Sequence, residues 1–146
     1  MAKPESTSIT DNNKTITRRL VDEFWNKGTT ELAEELVASD YKRIELFSNE
    51  ILHGTDGLKN AASVWRGAFP DLSLTLNELL AEDDKVACQW TFTGTHKGEL
   101  KGTPATGKTV TVSGLSIIQF TDGKISKEIV STDLLSLMKQ LGVIPE

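Results

Sequence analysis

Residues Lys108–Leu141 read KTVTVSGLSIIQF (108–120), TDGK (121–124), ISKEIVSTD (125–133) and LLSLMKQL (134–141). Two strand-like runs flank the turn at Asp122-Gly123, a dipeptide that favours a tight hairpin. The second run ends in a carboxylate, Asp133, and a helical pattern starts there. Leu134, Leu137, Met138 and Leu141 recur at i, i+3, i+4 and i+7, one face of an amphipathic helix.

Alternation sorts the second run into two faces. Ile125, Lys127, Ile129, Ser131 and Asp133 share one; Ser126, Glu128, Val130 and Thr132 share the other. The two isoleucines mark the first face as inward. In the absence of a bulge, Asp133 then stands on an apolar inner wall, desolvated and available for proton transfer. The competing reading uses the same residue differently. Asp is a favoured N-cap, and just before Leu134 its oxygen would accept from a free backbone N–H.

Upstream, the period of two continues. Val110, Val112 and Ile118 occupy one strand face, and Leu115 and Ile117 the other. Val86, Cys88, Trp90 and Phe92 alternate with Ala87, Gln89, Thr91 and Thr93, and Leu72, Leu74 and Leu76 begin a strand after Pro70, with Leu79 beyond them. Before Pro70 the period is helical. Leu58, Ala61, Ala62, Trp65, Ala68 and Phe69 form one stripe, and Ile16, Leu20, Val21, Phe24 and Trp25 another. A shorter helix carries Leu32, Ala33, Leu36 and Val37, and Tyr41–Phe47 reads as a short strand. Helices first and hairpin-linked strands after predict an α+β domain with helices on one face of an antiparallel sheet. Residues 1–10 read as a flexible polar tail and 11–146 as a single domain. The apolar outer sheet residues call for a cover, and a second copy of the chain is the expected one.

Composition narrows the function classes. The chain has 146 residues and a net charge of −5, with no clustered basic patch, which argues against a nucleic-acid partner. No apolar run approaches the roughly 20 residues needed to span a bilayer. The polar N-terminus lacks the apolar centre of a signal peptide, so a cytoplasmic location is expected. One cysteine and two histidines give no intrachain disulfide and no structural zinc set.

The chain resembles the SnoaL-like polyketide cyclase, or ester cyclase, family of the NTF2-like superfamily. The resemblance covers roughly residues 15–143. It rests on Trp65 with Phe69-Pro70-Asp71, Gly94-Thr95-His96 with Gly98-Glu99, and Gly102, Pro104 and Thr106-Gly107-Lys108. Asp122-Gly123-Lys124-Ile125, Asp133 and Gln140-Leu141-Gly142 complete it. It implies an NTF2-like cone, a curved antiparallel sheet wrapped around N-terminal helices with an internal pocket, and homodimers. It also implies cofactor-free ring closure of a polyketide by intramolecular aldol condensation, with Asp133 as general acid/base. The sequence departs from the family at Ile129 and Thr132, where many members carry aromatic residues, and near Arg43 and Ile44, where many carry a histidine.

The expected site therefore has Asp133 as acid/base and no metal or cofactor. His96 or Gln119 would donate to the developing oxyanion. Trp65, Phe69, Trp90 and Phe92 would wall a small apolar carbonyl substrate. For each of these side chains a packing or solvated role is the default alternative. Two further functions stand beside this one. A different proton-transfer enzyme of isomerase or epoxide hydrolase type would need a second acid; Arg43 and Glu45, with Tyr41, would serve if they share an inner strand face. A non-catalytic module would bind a small ligand or act as a dimerisation scaffold.

Overall fold

Residues 5–145 are described by the structure, a computed structural model, with side chains from Ile9 onward. A long first helix, α1 (Glu5–Arg19), continues as a π-helical turn over Leu20–Asn26. A 3₁₀ turn (Thr30–Leu32) leads into the short α2 (Ala33–Leu36). Then come β1 (Val37–Glu45), β2 (Glu50–His53), α3 (Gly54–Ala68), β3 (Ser73–Glu82) and β4 (Lys85–Thr95). β5 (Thr109–Thr121), β6 (Lys124–Thr132) and α4 (Leu134–Leu141) complete the chain. The six strands form one curved, unclosed sheet in the order β2-β1-β6-β5-β4-β3. The expected α+β architecture is therefore present.

Three details depart from the sequence reading. Of the tail expected over residues 1–10, residues 1–4 lie outside the described residues and 5–10 are helical. The short strand β2 pairs with β1, a hairpin that was not expected from the sequence. The sheet is not wholly antiparallel, because β1 runs parallel to β6. A parallel pair needs a long crossover, and here everything from β2 to β5 lies between the two strands.

The helices fill the concave side of the sheet. Leu20, Val21, Phe24 and Trp25 of the π turn are buried, as are Leu58, Ala61, Ala62, Trp65 and Ala68 of α3. They meet Val86, Cys88 and Phe92 of β4 and Val110, Val112, Ile118 and Phe120 of β5. Side-chain amides fasten helices to strand edges. The Asn26 carboxamide donates to the Leu74 carbonyl at 2.9 Å and accepts from its N–H at 2.7 Å. Gln140 does the same to both backbone groups of Thr111, at 2.8 Å each. Each amide supplies a donor and an acceptor where the neighbouring strand is missing, so the backbone groups of Leu74 and Thr111 are paired.

Two bulges set which residues face inward. Gln119 pairs with Lys127, but Phe120 pairs with Ile125, so Ser126 is an extra residue in β6. Its hydroxyl donates to the Gln119 carbonyl at 3.2 Å. A bulge of one residue moves every later side chain to the other face. Glu128 and Val130 are therefore buried, and Ser131 and Asp133 are exposed. In β3 the register slips at Asn77, which carries Leu79 to the same face as Leu74 and Leu76.

Candidate active site

Between the helices and the concave face of the sheet lies an open cavity. It is narrow, with a volume of about 70 Å³. Trp25, Trp65, Trp90 and Phe92 give it aromatic walls. Leu20, Val21, Leu72, Leu74, Ile118 and Val130 make the aliphatic ones. Thr17, Cys88, Ser116 and Thr132 add neutral polar atoms. Among the described residues the charged side chains on the wall are Arg43 and Glu128.

The aromatic walls follow from local geometry. Trp90 on β4 lies flat across β5 because its neighbour there is Gly114. A Cβ on Gly114 would sit 2.2 Å from the indole. The indole N–H then reaches Ser116 and donates to its hydroxyl at 3.0 Å. Trp65 projects from α3 and meets Phe92 edge to face at 6.1 Å. The π turn brings Leu20, Val21 and Trp25 to the same cavity, which fits the frequent use of π-helical turns at functional sites.

The charged pair belongs to a buried network. Alternation along β1 puts Tyr41, Arg43 and Glu45 on the inner face. The Tyr41 hydroxyl donates to Glu128 Oε1 at 2.6 Å. One terminal nitrogen of Arg43 lies 3.6 Å from Glu128 Oε2, and its Nε donates to Glu45 Oε2 at 3.3 Å. The guanidinium also sits 5.3 Å from the centre of the Trp25 ring, a cation–π distance. Burial alone would lower the Arg43 pKa. Glu128, Tyr41 and Glu45 outweigh it and raise the pKa above its usual value, so the guanidinium keeps its charge. Burial, and then the charge of Glu128, push the Tyr41 phenol well above its ordinary range, so it stays a donor. Burial likewise pushes the Cys88 thiol up to about 12, with Glu128 adding to the effect.

The residues singled out from the sequence divide into three groups. Trp65, Trp90 and Phe92 line the cavity. Phe69 stands behind them, fully buried, 4.9 Å from Phe92 and stacked on His96 at 5.3 Å. His96, Gln119 and Asp133 are not on the wall. His96 is buried at the end of β4, and its Nδ1 accepts from the Thr106 N–H at 3.2 Å. Its Nε2 is buried and has no hydrogen-bond partner among the described residues. The backbone of His96 also bonds Lys108 and Gly107, so this residue anchors the loop between β4 and β5. Gln119 is half-buried beside Lys85 and Lys127. Asp133 is exposed and caps α4, its Oδ1 accepting from the Ser136 N–H at 3.1 Å. Its neighbour Thr132 is the last residue of β6 on the cavity wall.

Sequence reasoning missed Glu128, because strict alternation from Ile125 sends it outward. Ser126 gave no visible sign of a bulge. Arg43, Glu45 and Tyr41 were legible as a possible inner face, but their buried partner was not. The cavity sets aromatic rings beside a carboxylate and a guanidinium whose nearest atoms are 3.6 Å apart.

A model of the SnoaL-like polyketide cyclases matches residues 15–141. Aklanonic acid methyl ester cyclase DauD of Streptomyces sp. (strain C5) is 30% identical over 130 residues, covering 87% of this chain and 80% of the relative. The corresponding cyclase DnrD of Streptomyces peucetius is also 30% identical over 130 residues, covering 87% and 88%. Among solved structures, a SnoaL-like protein from Jannaschia sp. CCS1 superposes with a TM-score of 0.87 at 26% identity over 99% of each chain. TsrD from Streptomyces laurentii gives 0.81 at 26% identity, over 99% and 100%. A family model spanning most of the chain, and two relatives aligned over most of their own length, lead to one conclusion: the chain belongs to the SnoaL-like polyketide cyclase family.

Proposed function

We propose that the protein is a cofactor-free cyclase that closes a ring by intramolecular aldol addition on a flat, apolar carbonyl substrate, with Glu128 as the acid/base. The observation that carries this reading is the placement of Glu128. The residue lines an aromatic-walled cavity; its Oε1 is taken by Tyr41, while its Oε2 stands 3.6 Å from Arg43.

The reaction needs little else. Glu128 Oε2 takes a proton from the carbon beside a substrate carbonyl, and the C–H electron pair becomes an enolate. Arg43 stabilises the charge that collects on the enolate oxygen. The enolate carbon attacks a second carbonyl of the same molecule and a C–C bond forms. The resulting alkoxide takes the proton back from Glu128, so the product is an isomer of the substrate. Tyr41 holds the carboxylate in place throughout. Proton transfer by a positioned group contributes about 10²–10⁴ in rate.

The geometry favours this over the isomerase and hydrolase alternatives. Both of those use a second carboxyl group at the reacting atoms. Here Glu45 stands on the far side of Arg43 and is not part of the cavity wall. The test uses aklanonic acid methyl ester, the compound in the relatives' names, together with smaller aryl β-keto esters. Products are separated by chromatography at unchanged mass. Glu128→Gln is expected to lose at least about a hundredfold in turnover, and Asp133→Asn to stay near the parent. The reverse pattern would return the acid/base role to Asp133. Saturable binding without turnover of any ester would make the protein a binding module.

A further inference from the structure

We infer that Lys101, outside the cavity, is a positioning residue for the Arg43–Glu128 pair inside it and acts through Glu45. This rests on the reading of Glu128 and Arg43 given above and extends it to a residue that touches no substrate.

The starting point is an imbalance. Arg43 is a single guanidinium between two buried carboxylates; its Nε–H donates to Glu45 at 3.3 Å, while a terminal nitrogen stands 3.6 Å from Glu128. The side chains of Glu45 and Glu128 are 3% and 4% exposed. Two buried carboxylates sharing one cation leave a net charge that a protein interior does not tolerate well. Lys101 supplies the missing cation. Its Nζ lies 3.3 Å from Glu45 Oε1, the oxygen that Arg43 does not use. With Lys101 in place, Glu45 is served from both sides, and the outer guanidinium nitrogen of Arg43 remains available to Glu128 and to a ligand oxygen.

The backbone is shaped to deliver that ammonium. Leu100 and Thr103 exchange two backbone hydrogen bonds, Leu100 N–H to Thr103 carbonyl at 2.9 Å and the reverse at 2.8 Å. Lys101 and Gly102 form the tip, with φ of 45° and 92°. Positive φ at both central residues suits Asn-Gly or Gly-Gly and is unfavourable for lysine. The tip is held by contacts of the Lys101 side chain with Glu45, Glu50 and the Phe47 ring, the last at 4.9 Å. Leu100 is buried beneath it. The ammonium sits in a recess that shares Trp65 with the cavity, so the two sites are back to back across one indole.

The test reads Arg43 directly. The Nε–H of Arg43 is followed by nitrogen-detected NMR in the parent, Lys101→Met, Lys101→Arg and the double variant Lys101→Met/Glu45→Gln. Loss of Lys101 should tighten the Nε–H bond to Glu45, moving its proton signal downfield and slowing its exchange; Lys101→Arg should restore the parent signal. Turnover of an ester the parent accepts should fall about tenfold in kcat in Lys101→Met, with KM little changed, a size typical of coupled charged groups. It should recover in the double variant, where one cation and one carboxylate again face each other. Lys101→Gly controls for the turn, since it relieves the left-handed backbone. It should repeat the Lys101→Met signal without melting below it. An unchanged Arg43 signal in Lys101→Met, or losses that simply add in the double variant, would overturn the inference. The NMR arm needs no substrate, so it stands even where no ester is turned over and the cyclase reading fails.

Discussion

Glu128 and Asp133 are five residues apart and both are carboxylates, yet one is in the cavity and the other is in solvent. Asp133 earns its position as a helix cap. Its Oδ1 accepts the Ser136 N–H, one of the donors that the first turn of α4 leaves unpaired. Asp133→Ala should therefore cost about 1 kcal/mol in urea unfolding. Asp133→Ser should recover most of that, and neither should change the affinity of an ester for the cavity. Cys88 shows the opposite environment. Its thiol is pushed up to about 12 by burial and by Glu128. The sign follows from the fold favouring the protonated thiol. Stability from this group is complete below the ordinary thiol value of 9.0 and is lost as pH rises towards 12. At pH 8 iodoacetamide should alkylate Cys88 far more slowly in the native protein than in urea. Equal rates would mean that the thiol is not packed as described.

At the level of the element, the sequence was legible wherever periodicity was uninterrupted. The stripes of α3 and α4, the alternation of β4 and β5, and the Asp122-Gly123 turn all translate directly into structure. Legibility stopped at Ser126. An inserted residue in a strand leaves composition and propensity unchanged, while inverting the faces that follow it. Side chain–backbone fasteners were equally invisible, because they depend on which elements meet. Asp71 is one. Its two carboxylate oxygens accept from the Thr95 N–H at 2.7 Å and from the Thr95 hydroxyl at 2.8 Å. The pair ties the corner after α3 to the end of β4, beside Phe69 and His96. These bonds hold the Asp71 carboxyl below its usual 3.8. A depressed carboxylate stabilises the fold above its unfolded value and loses that contribution as pH falls through the folded one. Thermal midpoints measured from pH 5 to pH 3 should thus fall more steeply for the parent than for Asp71→Asn. Parallel curves would remove Asp71 from the acid response.

At the level of the whole molecule, the outer face of the sheet is the feature left without a partner. The register carries an apolar row across all six strands: Leu80 beside Ala87, Ala87 beside Ile117, Ile117 beside Ile129, Ile129 beside Ile44, and Ile44 beside Ile51. Leu80 is 63% exposed, and Ile117 and Ile51 are about half exposed. Leu115, one pair further along β5, is exposed as well. A contiguous exposed apolar band marks an interaction surface. We propose that a second copy of the chain covers it. A two-fold axis through the middle of the sheet would set the row against itself and bury both copies at once. Light scattering on the eluting protein should give about twice 16.0 kDa. Ile117→Lys, at the centre of the row, should shift it to the monomer. The cavity lies on the opposite face of the same strands, where Ser116 and Ile118 point inward. The monomeric variant should for that reason keep its ester affinity, provided that it stays folded by circular dichroism. A parent mass that stays at one chain across a hundredfold range of concentration would rule out the dimer and leave the row to some other partner.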